Sequence, residues 1–190
     1  MSIATTRHTV DEYFETEIAS QFRHEYIDGE IIEMTGGSVA HNLLYFNLTC
    51  QLVYQFNNPH FWVCLGNTRI KIEAENAYCY PDAAVVICPV ERELDRWDTV
   101  LNPSVVFEIL SPSTEHIDRG RKLKLYKQIL SLTHYVLISQ DEIAVECFSR
   151  VGDGEWFQEC FTKVTDTLRF PLLDWNLQLS DLYKNFKSSE

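Results

Sequence analysis

Two carboxylates stand in stretches that otherwise carry apolar side chains. Glu108 lies inside Val105-Val-Phe-Glu-Ile-Leu110, a run apolar on both faces and typical of a central strand. Asp82 lies in Tyr80-Pro-Asp-Ala-Ala-Val-Val-Ile87, at the mouth of a second such strand. Pro81 removes a ladder donor, so Asp82 is expected near the strand start or at a bulge. An ionised carboxylate in such surroundings is costly unless a cation or hydrogen bonds compensate it. Two hard oxygen ligands on neighbouring strands suit Mg²⁺ or Mn²⁺. The plainer alternative is that each carboxylate caps a turn or pairs with a buried arginine.

The segment after Glu108 adds a cation. At the helical period, Leu123, Leu125, Tyr126, Ile129 and Leu130 mark one apolar arc. Lys122 falls near the middle of that arc, with Asp118 at its edge one turn earlier, while Lys124 and Lys127 fall opposite. A lysine facing a sheet needs a buried anion, and Glu108 is the nearest candidate. The alternative is a structural pair of Lys122 with Asp118 at i, i+4. Glu25 and His41 are two further polar residues that could face the same place. His8, His24, His60, His116 and His134 have no metal-ligand spacing, and no GxSxG, Walker-type loop or HExxH occurs.

The elements that must position these residues are legible in outline. Thr9 with Asp11 and Glu12 reads as a capped helix start, running to about Ala19. Asp28-Gly29 between two strand-like runs signals a hairpin. Ser38 is a candidate N-cap for a long helix to about Phe56, apolar on nearly every side and so expected to be buried on more than one face. Strands are expected at Phe61 to Leu65, Thr68 to Glu73 and Tyr78 to Cys88, then a charged loop from Pro89 to about Asn102. After the Glu108 strand come a Ser111-Pro-Ser-Thr114 turn and a helix to about Leu130. His134 to Ser139, Glu142 to Ser149 and Glu155 to Thr162 read as strands, the last two joined at Gly152-Asp153-Gly154. A short helix near Leu179 to Phe186 closes the chain. The pattern predicts an α/β protein with a mixed sheet flanked by helices, in one domain over 1–190.

Composition narrows the class. Of 190 residues, 45% are hydrophobic and 23% charged, the balance of a soluble globular protein. No apolar run is long enough to span a membrane, and Met1 to Val10 lacks the apolar stretch of a signal peptide. Six scattered cysteines form no CxxC pair, and their apolar neighbours suggest buried thiols in a cytoplasmic protein. The net charge of −12 counts against tight non-specific nucleic-acid binding, which draws on basic residues. Arg119, Arg121, Lys122, Lys124 and Lys127 form the densest basic segment, which the plainer reading takes as a solvated helix face.

The order of motifs resembles a known family, described as a "putative restriction endonuclease domain" and part of the PD-(D/E)XK nuclease superfamily, abundant in cyanobacteria. The matching pieces are Glu25-Tyr-Ile-Asp-Gly-Glu30, Ser38-Val-Ala-His41, Tyr80-Pro-Asp82, Phe107-Glu-Ile-Leu-Ser-Pro-Ser-Thr114, Asp118 with Lys122 and Tyr126, and Leu173-Asp-Trp-Asn-Leu-Gln-Leu179. The resemblance implies a restriction-endonuclease-like fold, with Asp82 and Glu108 as metal ligands. It also marks a departure. The superfamily's E-x-K would put lysine at position 110, where this chain has Leu110. The family's lysine is thought to have migrated to the following helix, which agrees with the helical placement of Lys122.

The function expected from all this is Mg²⁺- or Mn²⁺-dependent hydrolysis of DNA phosphodiesters. Asp82, Glu108 and Lys122 would be catalytic, with Glu25, His41 and Asp118 in support. The rival is a non-catalytic acidic interaction module that keeps the fold, favoured by the charge of −12 and by Leu110. A homodimer is expected because the superfamily often works as dimers and because Trp97 sits among charges, aromatic residues being enriched at interfaces.

Overall fold

A computed structural model describes residues 7–34, 36–152 and 154–187. The expectations that rest on the first six residues and on Asp153 lie outside the described residues. The first half of the chain runs α1 (Val10–Ala19), β1 (His24–Ile27), β2 (Glu30–Glu33), α2 (Val39–Gln55), β3 (Phe61–Leu65), β4 (Arg69–Ile72), β5 (Ala77–Cys79), β6 (Ala83–Ile87), β7 (Arg92–Glu93), β8 (Arg96–Val100) and β9 (Val105–Leu110). The second half runs α3 (Glu115–Ile117), a π turn (Asp118–Lys122), α4 (Leu123–Tyr126), β10 (His134–Ser139), β11 (Val145–Val151), β12 (Glu155–Phe161), β13 (Thr167–Phe170), β14 (Trp175–Gln178) and α5 (Leu179–Leu182).

Local chemistry sets the boundaries near the site. Thr9 and Glu12 close a reciprocal capping box at the start of α1. Asp28 and Gly29 take φ of 54° and 80°, the pair of positive values that a tight hairpin between β1 and β2 requires. Ser38 caps α2 by accepting a bond from the His41 N–H at 3.0 Å.

The strands form two six-stranded sheets and a two-stranded ribbon. One sheet has the order β12-β11-β10-β9-β6-β3, the other β2-β1-β5-β4-β8-β7, and β13 pairs with β14. The first is mixed: β9 runs parallel to β10 and antiparallel to β6. This is the expected α/β architecture, consistent with a restriction-endonuclease-like fold. All six residues of β9 are buried. On one face Val105, Phe107 and Ile109 pack with Leu44, Leu48 and Leu52 of α2. On the other, Val106 and Leu110 pack with Tyr126, Tyr135 and the second sheet's Ile70 and Cys79. Strand alternation places Glu108 on this second face, in the apolar layer between the sheets.

Several expectations need correction. α2 is not buried on several faces: Leu44, Asn47, Leu48 and Leu52 are buried, while Val39, Phe46 and Tyr54 stand in solvent. The segment from Tyr78 to Cys88 is two strands in different sheets, split at Pro81-Asp82. The charged stretch after Pro89 is not all loop, because it forms β7 and β8 on the edge of the second sheet. The helical segment after Thr114 ends at Tyr126, and Leu130, expected in its apolar arc, is 90% exposed. β11 begins at Val145, and the β13–β14 ribbon was not foreseen. Cys50 and Cys160 are exposed rather than buried, and all six cysteines are free thiols. Among the described residues, no helix is long and apolar enough to cross a membrane.

Candidate active site

The split strand gives Asp82 its place. Pro81 ends the run of β5 and offers no donor, so the chain leaves one sheet and enters β6 of the other at Ala83. Asp82 sits at that transfer point. Its Oδ2 accepts the Ile109 N–H at 2.6 Å, which ties it to the residue after Glu108. Its Oδ1 lies 3.2 Å from Nε2 of His41, one turn into α2. The ring reaches that position because residue 37 has no side chain. A Cβ on Gly37 would stand 2.5 Å from His41 Cδ2, far inside contact distance.

Lys122 lies at the centre of the buried part. Its Nζ is 2.8 Å from Oε1 of Glu25, 3.1 Å from Oε1 of Glu108 and 3.0 Å from Oδ1 of Asp118. All four side chains are at least nine-tenths buried. Both sequence readings of Lys122 therefore hold at once: it faces the Glu108 carboxylate and also pairs with Asp118 one turn back. The contact to Asp118 is close but poorly directed, and Oδ1 has no hydrogen bond of good geometry. The π turn over Asp118–Lys122 carries both residues; π turns inside helices often mark functional sites. Tyr126 donates to Glu108 Oε1 at 3.4 Å, and the Tyr135 hydroxyl donates to the Asp118 carbonyl at 3.1 Å. The Tyr80 N–H donates to Glu25 Oε1 at 3.0 Å.

Burial drives the protonation of these groups. Loss of water pushes the Glu108 carboxyl well above its usual range, with the Lys122 charge pulling against it. Glu25 is raised for the same first reason. For Lys122 burial alone would lower the value, but Glu108, Glu25 and Asp118 hold it well above that of a free lysine. His41 behaves similarly: burial would lower it, and the bond and charge of Asp82 carry the net shift upward. A cluster of this kind is a poor device for stability, since apolar residues of the same size would fill the space at less cost. Strong perturbation of several groups in one cleft makes it a candidate functional site, although structural ion-pair networks shift such groups as well.

The cleft itself has a volume of about 110 Å³ and is walled by Glu25, His41, Asp82, Glu108, Asp118 and Lys122, with Met34 and Gly37 at its rim. All six candidate residues therefore converge on one cavity. Sequence reasoning missed Glu17 of α1. It accepts bonds from the Tyr80 hydroxyl at 2.6 Å and the His24 N–H at 2.7 Å, just behind Glu25. Its signal was present: Glu17 falls at i+3 and i+4 from Phe14 and Tyr13, on the buried face of α1.

Whether a divalent ion fits can be judged from the donors. Among the described residues, no group of three or more His, Cys, Asp or Glu side chains has the arrangement of a complete metal shell. The oxygens of Glu25 and Asp118 turn to Lys122. Asp82 and Glu108 remain, tied together through the Ile109 backbone, whose N–H bonds Asp82 at 2.6 Å. Mg²⁺ keeps several waters and is commonly held by one or two carboxylates, so this hard-oxygen set fits it. Two of the buried polar atoms without a partner, His41 Nδ1 and Asp118 Oδ1, belong to residues lining this cavity.

The basic segment is less available than its sequence suggests. Arg119 is paired with Glu115 and Glu146. Arg121 holds Glu30 at 2.6 Å and Asp28 at 3.3 Å. Lys122 is internal, and Lys127 lies 5.1 Å over the Phe148 ring. Of the five, Arg119 and Lys124 are exposed, and Arg119 is already engaged by its two carboxylates.

Two relatives of the chain come from one cyanobacterium. The uncharacterized protein sll1609 of Synechocystis sp. (strain ATCC 27184 / PCC 6803 / Kazusa) is 34% identical over 157 residues, covering 82% of this chain and 89% of its own. The uncharacterized protein slr1290 of the same organism is 33% identical over 148 residues, covering 77% and 76%. A crystal structure described as a putative nuclease belonging to DUF820, from Anabaena variabilis ATCC 29413, superposes with a TM-score of 0.70 at 20% identity. It covers 86% of this chain and 91% of that one, and so shares the fold. The family model described as "Putative restriction endonuclease" (Uma2) matches residues 10–180, almost the whole chain. The chain belongs to this family, which is related to the PD-(D/E)XK nucleases.

Proposed function

We propose that this protein is a Mg²⁺- or Mn²⁺-dependent nuclease that hydrolyses phosphodiester bonds of DNA. The observation that carries the reading is the placement of the Lys122 ammonium within 3.1 Å of Glu108 in a cavity whose mouth bears Asp82. Asp82 and Glu108 would hold the metal, with the Ile109 carbonyl beside them. Both directed contacts to Glu108 go to Oε1, which leaves Oε2 for a cation. The ion, when bound, supplies Lewis-acid polarisation of the phosphate and a more acidic water.

The side chains divide the remaining work. Lys122 keeps its proton, so it acts as a donor that orients the attacking water or stabilises charge growing on the phosphate, not as a base. Glu25 stands on the same nitrogen, and its raised carboxyl suits it to take a proton from the water. Asp118 steadies Lys122 through its charge. His41 faces the outer oxygen of Asp82 and sets where that carboxylate points. A homodimer belongs to the same proposal, with Trp97, 86% exposed, as the aromatic it would cover. A monomer mass by light scattering would remove that part.

The test is cleavage of single- and double-stranded DNA and RNA with Mg²⁺ or Mn²⁺, against a chelator control and Asp82→Ala. Metal-dependent cleavage lost in Asp82→Ala supports the reading. One observation favours a second reading, an acidic interaction module without catalysis. Arg119 and Arg121 are neutralised by acidic partners, and the chain carries a charge of −12. Absence of both cleavage and metal binding in a folded protein would make that reading the better one.

A further inference from the structure

The Asp82–His41 pair divides two spaces of different character. The inner one is the cavity of about 110 Å³ that holds Lys122. The outer one is an open hollow of about 570 Å³ that shares Met34, Gly37, His41, Tyr80 and Asp82 with it and continues over Asn42, Tyr45, Leu65 and Asn67. Among the described residues that line the hollow, Asp82 is the only one of Asp, Glu, Lys or Arg. We propose that this hollow is a subsite for one unpaired nucleobase, so that the protein acts on single-stranded or frayed nucleic acid and not on intact duplex.

Size makes the first argument. A cavity of roughly 150 Å³ is what a benzene ring fills. The inner space is smaller, with room for a phosphate and its water but not for the nucleoside attached to it. The nucleoside must lie outside, and the hollow adjoins the same carboxylate. Chemistry makes the second. The hollow's described lining has no lysine or arginine, and His41 is turned to Asp82, so the hollow offers little to a second phosphate. It offers a phenol ring, a thioether, an aliphatic wall and two amides, which suit an uncharged heteroaromatic ring. Tyr45 is partly exposed, as a stacking platform must be. Asn42 gives one N–H to the Gly37 carbonyl at 3.3 Å and keeps its oxygen free for a ring donor, while Asn67 is exposed on the β3–β4 turn.

The surrounding surface makes the third. Duplex binding rests on many phosphate contacts by basic side chains. Here Arg119, Arg121 and Lys122 are each held by carboxylates of the protein itself. Unpaired bases are recognised instead by stacking and by hydrogen bonds to their exposed edges. A base paired and stacked within a helix cannot enter the hollow.

This inference rests on the nuclease reading for its ligand, but its test separates the two. The probe is a single-stranded oligodeoxynucleotide carrying one 2-aminopurine, with its fully paired duplex as competitor, measured with chelator and with Mg²⁺. Stacking on Tyr45 should quench the 2-aminopurine, and the duplex should compete poorly. Gly66→Leu tests the space directly. A Cβ there meets the Tyr45 hydroxyl at 3.7 Å and the Asp82 carbonyl at 4.0 Å, ordinary contacts, so the backbone tolerates a side chain directed at the hollow, and circular dichroism first checks that the variant is folded. Gly66→Leu and Tyr45→Ala should each weaken single-strand binding roughly tenfold or more, with Mn²⁺ binding by calorimetry unchanged. Wild-type affinity in Gly66→Leu, equal affinity for the duplex, or no binding of the single strand by the wild type would each overturn the subsite. Cleavage that persists unchanged in Gly66→Leu would remove the subsite and leave the nuclease standing. Quenching without any metal-dependent cleavage would keep the subsite and remove the nuclease.

Discussion

Glu17 and Tyr80 are joined by a hydrogen bond of 2.6 Å, and through it α1 braces the wall of the candidate site. The same carboxylate takes the His24 N–H at 2.7 Å and lies 3.6 Å from the Arg69 guanidinium. His24 precedes Glu25 in β1, and the Tyr80 N–H binds Glu25. One buried carboxylate on α1 therefore fixes both the backbone that carries Glu25 and the backbone that holds its side chain. Arg69 completes the cluster, bonded to the Tyr80 hydroxyl at 2.8 Å and to Asp98 at 3.0 Å.

Glu17→Ala should cost about 2–3 kcal/mol of stability, because it leaves buried donors without their acceptor. It should also weaken Mn²⁺ or substrate binding by disturbing Glu25. Asp98→Ala, at the solvent end of Arg69 with a third of its side chain exposed, should do far less. Urea unfolding and calorimetric titration of the two variants check this. Similar losses in both would mean that the cluster acts through Arg69 and not through Tyr80 and His24.

The metal assignment predicts that Asp82→Ala and Glu108→Gln each abolish Mn²⁺ binding measured by calorimetry. Gly37→Ala should act on the same site indirectly, since its Cβ would displace the His41 ring from Asp82. It should lower activity as His41→Ala does while leaving both ligands in place. Metal affinity equal in wild type and Asp82→Ala would end the metal reading.

The chemistry of the site was more legible in the sequence than its architecture. Asp82, Glu108 and Lys122 stood out because each is a charge set in an apolar pattern, and burial makes such charges rare unless something uses them. What could not be read was the partition of strands. β5 and β6 look like one run, yet Pro81 sends them into different sheets, and that division decides where Asp82 lies. The helical wheel for the Lys122 helix assumed a uniform period, which the π turn breaks. Lys122 still faces inward because three carboxylates compensate it there, whereas Leu130, beyond the helix end, loses the arc and is exposed. Glu17 escaped notice because a glutamate on a short amphipathic helix is ordinarily solvated, and its buried partners Tyr80 and Arg69 are far away in sequence.

His134 gives a pH dependence independent of the site. Its ring packs 5.0 Å from Phe170, and burial lowers its pKa to about 4. The folded protein thus keeps His134 neutral, while the unfolded chain takes up a proton near the usual value. Stability should therefore be full above that value and fall with pH until about 4. Between pH 7 and pH 5 the wild type should lose roughly 2 kcal/mol more than His134→Gln. Urea unfolding at the two pH values measures the difference, and equal losses would show that burial does not hold the ring neutral.

The sharpest contrast lies between Lys122 and Lys124, two residues apart. Lys122 is buried against Glu25, Glu108 and Asp118, whereas Lys124 is exposed. Removing Lys122 strands three carboxylates in an apolar layer, which should cost about 3–5 kcal/mol, softened as Glu108 and Glu25 take up protons. Lys124→Ala should stay within about 0.5 kcal/mol of wild type. Circular dichroism and urea unfolding come first, to find conditions where both variants are folded. There, Lys122→Ala should lower cleavage by roughly 10²-fold or more, the scale of losing one preorganised donor. Lys124→Ala should leave it nearly unchanged, apart from a small loss at higher salt. A general basic surface would make the two variants alike in activity. That outcome would reduce Lys122 to a structural counter-ion and leave the cavity without its donor.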